Sequence, residues 1–318
     1  MRILFVAPQW DYGDWRRGRS FEDVCFREAL EGMGHDVIPF DFGTEYELYG
    51  RRRMNKSLVE VARERQPDLA FFFLAWHEIK RSAVRAISRS GIPTFNWFAD
   101  DHWRFDRYSS FYAPAFDWVS TTDVDALPKY EKLGYGNALL TQWACNKYSY
   151  HRVAKEKWLD VSFVGQPHGA RPELIEELRS AGIDVACYGH GWPNGRVGHQ
   201  QMLEVFSGSR INLNLSNSSQ TGKSGEQLPQ IKGRVFEVPG AGGFLLTETA
   251  HQLDRYLTPG KDCAVFDSTV DLVDKIRYYL ADDAARLKIE LAGEQRVLAE
   301  HTYDHRFADL FARMGLPA

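Results

Sequence analysis

The chain lacks the long apolar runs and closely spaced cysteines that mark several large protein classes. No stretch of about 18 apolar residues occurs, so the sequence predicts no membrane span. The apolar run at residues 1–7 is too short for a signal peptide. The four cysteines lie far apart, which excludes a local zinc knuckle or CxxC redox pair. We therefore expect a cytoplasmic protein with reduced, buried cysteines.

The sequence also has little excess charge of either sign. Its formal net charge is −4, from 39 Lys and Arg against 43 Asp and Glu, and neither half is basic. This balance argues against a general affinity for nucleic acid or for an acidic membrane. Two local arginine clusters, at residues 16–19 and 51–53, fit solvated faces better than phosphate sites.

Three familiar signatures occur in the sequence, and each is better explained without the function that it usually marks. Gly222-Lys223-Ser224 ends like a Walker A loop, but Asn217 stands where that loop requires a glycine. Gly189-His190-Gly191 follows a predicted strand, but the third glycine of a dinucleotide fingerprint is displaced. Asp123-Val124-Asp125 has the spacing of a metal-binding DxD, yet its place before an amphipathic run favours a helix N-cap. The sequence thus argues against an NTPase and a hydride-transfer enzyme.

Apolar segments alternate with amphipathic ones along the whole chain, which is typical of parallel α/β proteins. The pattern predicts a helix at residues 58–65. It breaks near residues 145–158, which we take as the linker, and then starts again. We expect two Rossmann-like domains that face one another across a cleft. The predicted division is 1–148, 149–300, and a C-terminal helix at 301–318 that packs back on the first domain. Ligands of such sheets bind beyond the carboxyl ends of the strands.

Residues 211–248 are the most informative stretch. A strand at 211–215 leads into a predicted loop rich in Ser, Asn, Gly and Lys. Lys232 and Arg234 follow, and they can neutralise a diphosphate with help from a helix N-terminus. Glu237 can accept two hydrogen bonds from a ribose diol. On this chemistry alone, a ligand site and a surface ion-pair helix are equally open.

The same stretch resembles the carboxy-terminal domain of the CgeB-like (spore-maturation protein type) glycosyltransferases. Their pattern of R-x-F-E, a glycine pair and a strand ending in Leu-Leu-Thr reads here as Arg234-x-Phe236-Glu237 and residues 242–247. Further segments that match are Phe163-Val164-Gly165 with Arg171, Tyr188-Gly189-His190-Gly191-Trp192, Leu213-Asn214-Leu215, and residues 276–280 and 301–306. The first half matches more loosely, at residues 97–101. The resemblance implies a GT-B fold, a nucleotide-sugar donor and no metal or other cofactor.

With that family in view, we expect a UDP- or dTDP-sugar as the donor. The expected donor-binding residues are Gly165, Arg171, His190, Gly191, Trp192, Lys223, Lys232, Arg234, Glu237, Gly242 and Gly243. Glu237 corresponds to the second glutamate of the E-x7-E pattern in related retaining enzymes. The first glutamate would fall at Pro229, so the pattern is incomplete and leaves the stereochemical course open; Glu226 is a substitute in the same loop.

An inverting reaction also needs a base for the acceptor hydroxyl. Asp100 and Asp101 follow a predicted strand and are the first choices, with His102 third; the acidic pair can equally cap the next helix. In the first domain, the loop at residues 9–19 is expected to face the acceptor through Trp10, Tyr12 and Gly13.

The sequence leaves the acceptor open among a glycan, a protein, a small molecule and, less favoured, modified DNA. Two other functions also fit the same fold. One is a nucleotide-sugar epimerase or hydrolase, which consumes donor with no acceptor present. The other is a binding module that has kept the cleft and lost the chemistry.

Overall fold

The computed structural model describes residues 1–74, 77–154, 156–221 and 227–317, and it divides into two compact units. Unit 1 comprises Met1–Gln142 and Tyr303–Ala318, and unit 2 comprises Trp143–Thr302. Each unit has its own parallel sheet and its own apolar core. The predicted α/β class with two Rossmann-like domains is confirmed.

Unit 1 is built on a six-stranded parallel sheet with the order β2-β1-β3-β4-β5-β6. Its strands are β1 (Arg2–Ala7), β2 (Asp36–Asp41), β3 (Leu69–Phe72), β4 (Thr94–Phe98), β5 (Trp118–Thr121) and β6 (Ala138–Leu140). The inner strands read as continuous apolar runs because helices cover both faces of a parallel sheet. The strand order reverses between β1 and β3, so the topological switch point lies at the carboxyl ends of these two strands.

The helices of this part of unit 1 are mostly short. They are α1 (Glu28–Gly32), α2 (Phe42–Arg65), α3 (Arg81–Ser88), α4 (Asp101–Arg104), α5 (Ser110–Tyr112) and α6 (Leu127–Lys132). Helix α2 begins well before the predicted start at residue 58, with the Asp41 carboxylate accepting from the backbone N–H groups of Gly43 and Thr44. Gly50 (φ 74°) interrupts it, and its buried face lies mainly beyond that kink. The exposed first half carries no apolar periodicity that would predict it.

Unit 2 contains a five-stranded parallel sheet with the order β13-β12-β9-β7-β8. In chain order the strands of this sheet are β7 (Leu159–Val164), β8 (Ala186–Tyr188), β9 (Ser209–Asn214), β12 (Leu245–Glu248) and β13 (Ala264–Phe266). A separate antiparallel hairpin, formed by β10 (Asn217–Thr221) and β11 (Gln227–Pro229), lies between β9 and β12 in the chain. The hairpin lies where a loop was predicted after residue 215. The sequence did not indicate it because two strands can pair through their backbones without apolar side chains. The sheet order again reverses, here between β7 and β9.

The helices of unit 2 are α7 (Arg171–Ser180), α8 (His199–Gly208), α9 (Arg234–Gly240), α10 (Thr269–Ala281) and α11 (Asp283–Glu300). The last helix, α12 (Tyr303–Arg313), belongs to unit 1. Its Tyr303 and Phe307 rings pack against Phe26 with centroid distances of 4.8 and 5.7 Å. These aromatic contacts fix α12 to the core of unit 1.

All four cysteines are buried and carry free thiols, as expected for small apolar core residues. Within the described ranges, no helix combines the length and the apolar character needed to cross a bilayer.

Candidate functional site

Arg234, the first residue of α9, reaches the switch point of the unit 2 sheet. Its Nη1 donates to the carbonyl of Val164, the last residue of β7, at 2.7 Å. Its Nε donates to Oδ1 of Asn214, the last residue of β9, at 3.1 Å. The guanidinium therefore joins the two strand ends between which the strand order reverses. Ligands of doubly wound sheets bind at this point.

Arg171, the first residue of α7, comes to the same strand ends from the other loop. It is only 4% exposed. Its Nη1 donates to the carbonyl of Gln166, just after β7, and its Nη2 donates to the carbonyl of Leu215, just after β9, each at 3.0 Å. Its Nε is buried and has no hydrogen-bond partner among the described residues. A buried N–H of this kind is a donor available to a ligand.

The two arginines bring positive charge to this edge of the sheet, where the Glu248 carboxylate acts on Arg171 and the Glu237 carboxylate acts on Arg234. Within the described part of the chain, each hydrogen bond from their guanidinium groups goes to a neutral oxygen. Burial, followed by the charge of Arg234, lowers the pKa of Arg171 to about 9. Burial also lowers the pKa of Arg234 to about 10. Both remain cations at neutral pH, and a buried pair of like charges favours a bound anion.

His168, Gln230 and Lys232 extend this cationic site, defined here as these three residues with Arg171 and Arg234. Burial and the three neighbouring cations lower the pKa of His168 to about 4, so its ring is neutral at pH 7. Lys232 Nζ donates to Gln230 Oε1 at 2.6 Å. The Nε2 of Gln230 is buried and has no partner in the described ranges. Together, the cations and the available N–H groups suit a ligand rich in anionic oxygens.

Glu237 lies one turn after Arg234 on α9 and is 6% exposed. Its Oε1 accepts a hydrogen bond from the hydroxyl of Tyr150 at 3.1 Å. Burial raises the pKa of Glu237 to about 7, although Arg234 and Tyr150 act in the opposite direction. Sequence reasoning missed Tyr150, which lies 87 residues away in the segment taken as a linker. No local spacing signals a contact of that range.

Close backbone packing explains several of the glycines assigned to the donor site. A Cβ at Gly165 would lie 2.6 Å from Arg234 Nη1, so glycine leaves room for the guanidinium. Gly189 (φ 141°) lies against the backbone of Gly165 and admits no Cβ. The indole N–H of Trp192 donates to the Gly165 carbonyl at 2.7 Å. Trp192 thus holds the loops after β7 and β8 together, while His190 and Gly191 are exposed.

Gly242 and Gly243 form the buried turn between α9 and β12, at the opposite end of α9 from Arg234. A Cβ at Gly242 would meet the Arg152 guanidinium, and one at Gly243 would meet the Phe206 carbonyl, each at 2.6 Å. Packing within unit 2 therefore accounts for both. Lys223 and Glu226 lie outside the described residues.

In unit 1, the two acidic residues after β4, Asp100 and Asp101, differ in burial. Asp101 is 1% exposed, and its Oδ2 accepts from the Tyr130 hydroxyl at 2.8 Å. Burial raises the pKa of Asp101 to about 6. Asp100 is only partly buried, and its side chain makes no capping hydrogen bond to α4. His102 Nε2 lies 4.0 Å from Asp123 Oδ1.

The loop at residues 9–19 leaves the carboxyl end of β1, beside the switch point of the unit 1 sheet. Trp10 forms a backbone bridge to Arg19, whose side chain is paired with Asp23 and Glu28. The Tyr12 side chain is 70% exposed, and both Tyr12 and Gly13 have positive φ. The loop thus presents an exposed aromatic ring close to the edge where ligands of such a sheet bind.

The Asp123-Val124-Asp125 segment has the capping role that its position favoured. The Asp123 carboxylate accepts from the backbone N–H of Asp125 at 3.0 Å, at the start of a 3-10 turn. Across the described ranges, no three His, Cys, Asp or Glu side chains are grouped so that they could hold a metal ion.

Comparison with known proteins gives a family match for the second half of the chain. Residues 171–312 match a family model described as glycosyl transferase-like. This segment begins at Arg171 and contains Lys232, Arg234 and Glu237. A comparison with curated protein sequences finds no match.

Several solved structures are similar over nearly the whole chain. A sucrose-phosphate synthase from Thermosynechococcus elongatus superposes with a TM-score of 0.66 at 11% identity, covering 99% of this chain and 97% of its own. A glycosyltransferase from Rickettsia africae gives 0.65 at 12% identity, with 98% of both chains covered. Anabaena HepE in complex with UDP and glucose gives 0.62 at 14% identity, with 99% of both chains covered. The chain therefore has the fold of GT-B glycosyltransferases, and its residues 171–312 match the glycosyl transferase-like family.

Proposed function

We propose that the protein transfers a sugar from a nucleoside-diphosphate sugar to an acceptor hydroxyl without using a metal ion. The observation that carries this proposal is the pair Arg171 and Arg234, two cations at the switch point of unit 2 whose hydrogen bonds, among the residues that the structure describes, go to neutral oxygens. A diphosphate supplies the missing negative charge. Similar structures contain UDP with glucose or UDP-glucose, and we infer a UDP- or dTDP-sugar as the donor here.

Breaking the bond between the sugar and the diphosphate leaves negative charge on the nucleoside diphosphate. Preorganised cations and N–H donors at that position stabilise the transition state more than the ground state. Arg171, Arg234 and Lys232 supply the charge in this scheme. The neutral ring of His168 adds no further repulsion among the cations when the site is empty.

The nucleoside end of the donor extends toward Glu237. In its ionised form the carboxylate can accept hydrogen bonds from the two ribose hydroxyls, which would orient the diphosphate against the arginines. Burial keeps Glu237 away from bulk water, so such hydrogen bonds are stronger than they would be at the surface.

For the acceptor step we propose Asp100 as the base if the reaction inverts configuration. Asp101 is enclosed and already accepts from Tyr130, whereas Asp100 keeps access to solvent. The stereochemical course stays open because Pro229 occupies the position of the first glutamate in the retaining pattern. The acceptor classes to test are glycans, proteins, small molecules and, less favoured, modified DNA.

The test is calorimetric titration with UDP, dTDP, GDP and CMP in the presence of EDTA. We expect UDP or dTDP to bind with EDTA present, and Arg234→Met to weaken that binding by at least about tenfold, because a hydrogen bond to a charged group contributes about 1.5 to 3 kcal/mol. Arg179→Met is the matched control, since Arg179 is a surface residue of the same unit paired with Glu176. Absence of nucleotide binding, or equal binding by Arg234→Met, would refute the proposal.

Turnover separates transfer from the two alternative functions. A transferase releases nucleoside diphosphate from the cognate donor much faster when an acceptor is added. Rapid release without acceptor would indicate a hydrolase, and binding without release under any acceptor would indicate a binding module.

A further inference from the structure

Tyr150 is held in place by a short turn that precedes β7. Its backbone N–H donates to the Asn146 carbonyl at 2.8 Å. The Asn146 side chain closes the turn, since its Nδ2 donates to Ser149 Oγ at 2.7 Å and its Oδ1 accepts from the Tyr148 backbone at 3.1 Å. The Tyr150 side chain is 3% exposed. The ring therefore has little freedom to change rotamer.

A second element fixes the same ring. His199, the first residue of α8, contacts Tyr150 edge to face with a centroid distance of 4.9 Å. The Nε2 of His199 lies 2.8 Å from the Ser149 carbonyl, within hydrogen-bond distance. The turn and α8 together aim the Tyr150 hydroxyl at Glu237, which lies on a third element, α9.

From this convergence we propose that Tyr150 is a positioning residue for the donor, which holds the Glu237 carboxylate in one orientation so that it can accept from both hydroxyls of the donor ribose. The inference rests on the proposed function, because it assigns to Glu237 a ribose in the same site. Tyr150 itself touches Glu237 and acts through it.

Two physical effects would follow from loss of the Tyr150 hydroxyl. The carboxylate would lose the donor that fixes Oε1, so its plane could rotate away from the ribose. Burial already raises the pKa of Glu237 to about 7, and the Tyr150 hydrogen bond and the Arg234 charge oppose that rise. Removing the hydroxyl would raise the pKa further and favour the protonated carboxyl. Among the described residues, the buried Cys145 thiol is also coupled to Glu237, and burial raises the pKa of this thiol.

The experiment compares Tyr150→Phe with the wild type for two ligands, UDP and 2′,3′-dideoxy-UDP, by calorimetry at pH 7. We expect Tyr150→Phe to weaken UDP binding by about three- to tenfold, the range for one hydrogen bond in a buried network. Binding of 2′,3′-dideoxy-UDP should change less than twofold, because that ligand has no hydroxyl for Glu237. The preference of the protein for UDP over the dideoxy ligand should shrink accordingly.

Tyr135→Phe is the matched control. The Tyr135 hydroxyl donates to the Phe116 carbonyl at 3.1 Å in unit 1, so this variant loses a hydrogen bond of equal length away from the site. It should bind both ligands like the wild type. In the Glu237→Gln background, adding Tyr150→Phe should leave the preference between the two ligands unchanged, since the carboxylate through which Tyr150 acts is gone.

A pH series supplies the readout that a purely structural role would not move. The UDP affinity of Tyr150→Phe relative to that of the wild type at the same pH should recover between pH 7 and pH 9, as Glu237 ionises; the comparison at equal pH removes the titration of Arg171, which both proteins share. Equal losses for UDP and the dideoxy ligand would overturn the positioning role. Failure of the wild type to bind UDP, dTDP or any other nucleotide would instead overturn the proposed function, so the two failures are distinct.

Discussion

Arg171 and Arg234 lie over one aromatic ring, that of Phe163, with their guanidinium carbons 5.4 and 5.2 Å from its centroid. The negative face of the ring partly compensates two cations that burial has deprived of water. A ring carries no net charge, so the compensation is incomplete. We therefore expect ligand anions to raise the stability of the folded protein strongly.

Substituting Gly165 should disturb the site through sterics. In Gly165→Ala the new Cβ would lie 2.6 Å from Arg234 Nη1 and 2.8 Å from the Phe163 ring, so the guanidinium must move. We expect UDP affinity to fall about tenfold and stability to fall by about 1 to 3 kcal/mol, the usual range for overpacking. Gly198→Ala is the control, because nothing lies within 4 Å of its Cβ position. Calorimetry and thermal melting measure both effects, and unchanged UDP binding by Gly165→Ala would show that Arg234 does not hold the ligand.

His168 should make the empty protein sensitive to acid. Its pKa is lowered to about 4 in the folded state, from 6.5 in the unfolded chain, so the unfolded state binds more protons between these values. Stability is therefore lost as the pH falls from 6.5 to 4. Melting curves of the ligand-free protein over this range should show a smaller loss for His168→Asn than for the wild type. The exposed His190→Asn serves as control, and parallel curves for His168→Asn and wild type would contradict the expectation.

Glu237 should have the opposite effect on stability. Its pKa is raised from 4.5 to about 7, so the folded state binds more protons in this window and loses stability as the pH rises through it. Glu237→Gln does not titrate at this position. Its stability relative to the wild type should therefore rise by up to about 3 kcal/mol between pH 4.5 and pH 8. The same variant should bind UDP more weakly. The exposed Glu204→Gln is the control for melting, and a constant difference between Glu237→Gln and wild type across this range would argue against an unusual carboxyl.

The acidic pair of unit 1 should separate into one catalytic and one structural residue. If the reaction inverts, Asp100→Asn should abolish transfer while leaving UDP affinity within about twofold, because a general base contributes roughly 100- to 10,000-fold. Asp101→Asn should instead act mainly on stability, since Asp101 is enclosed and hydrogen-bonded to Tyr130. Steady-state rates with a cognate acceptor, measured beside melting temperatures, test this. Wild-type turnover in Asp100→Asn would exclude it as the base.

The strands and the strand-end loops could be predicted because parallel sheets leave a strong trace in sequence. A strand covered on both faces is a short apolar run, and the strand predicted at residues 211–215 overlaps β9. Gly165 and Asp100 are among the residues that follow such runs. Their place at the carboxyl edge of a sheet could be predicted because position along the chain fixes which edge a residue occupies.

Other contacts could not be predicted because they depend on geometry across long separations. Tyr150 meets Glu237 only after β7, α8 and α9 have assembled. The hydrogen bond from the Trp192 indole N–H to the Gly165 carbonyl could not be predicted either, because a backbone carbonyl has no sequence signature. The first half of α2 was missed for a different reason, since exposed polar turns carry no hydrophobic period.

The assignment of α12 to unit 1 has a consequence for engineering the chain. Unit 2 is an insertion within unit 1, and its two ends are neighbours, since the Cys145 backbone N–H donates to the His301 carbonyl at 3.0 Å. Adjacent ends favour excision or circular permutation of an inserted module. A fragment of residues 143–302 is thus a sensible expression target. A fragment that stops at residue 142 would leave Phe26 and Trp97 without the α12 aromatics that cover them, and it would be prone to aggregate.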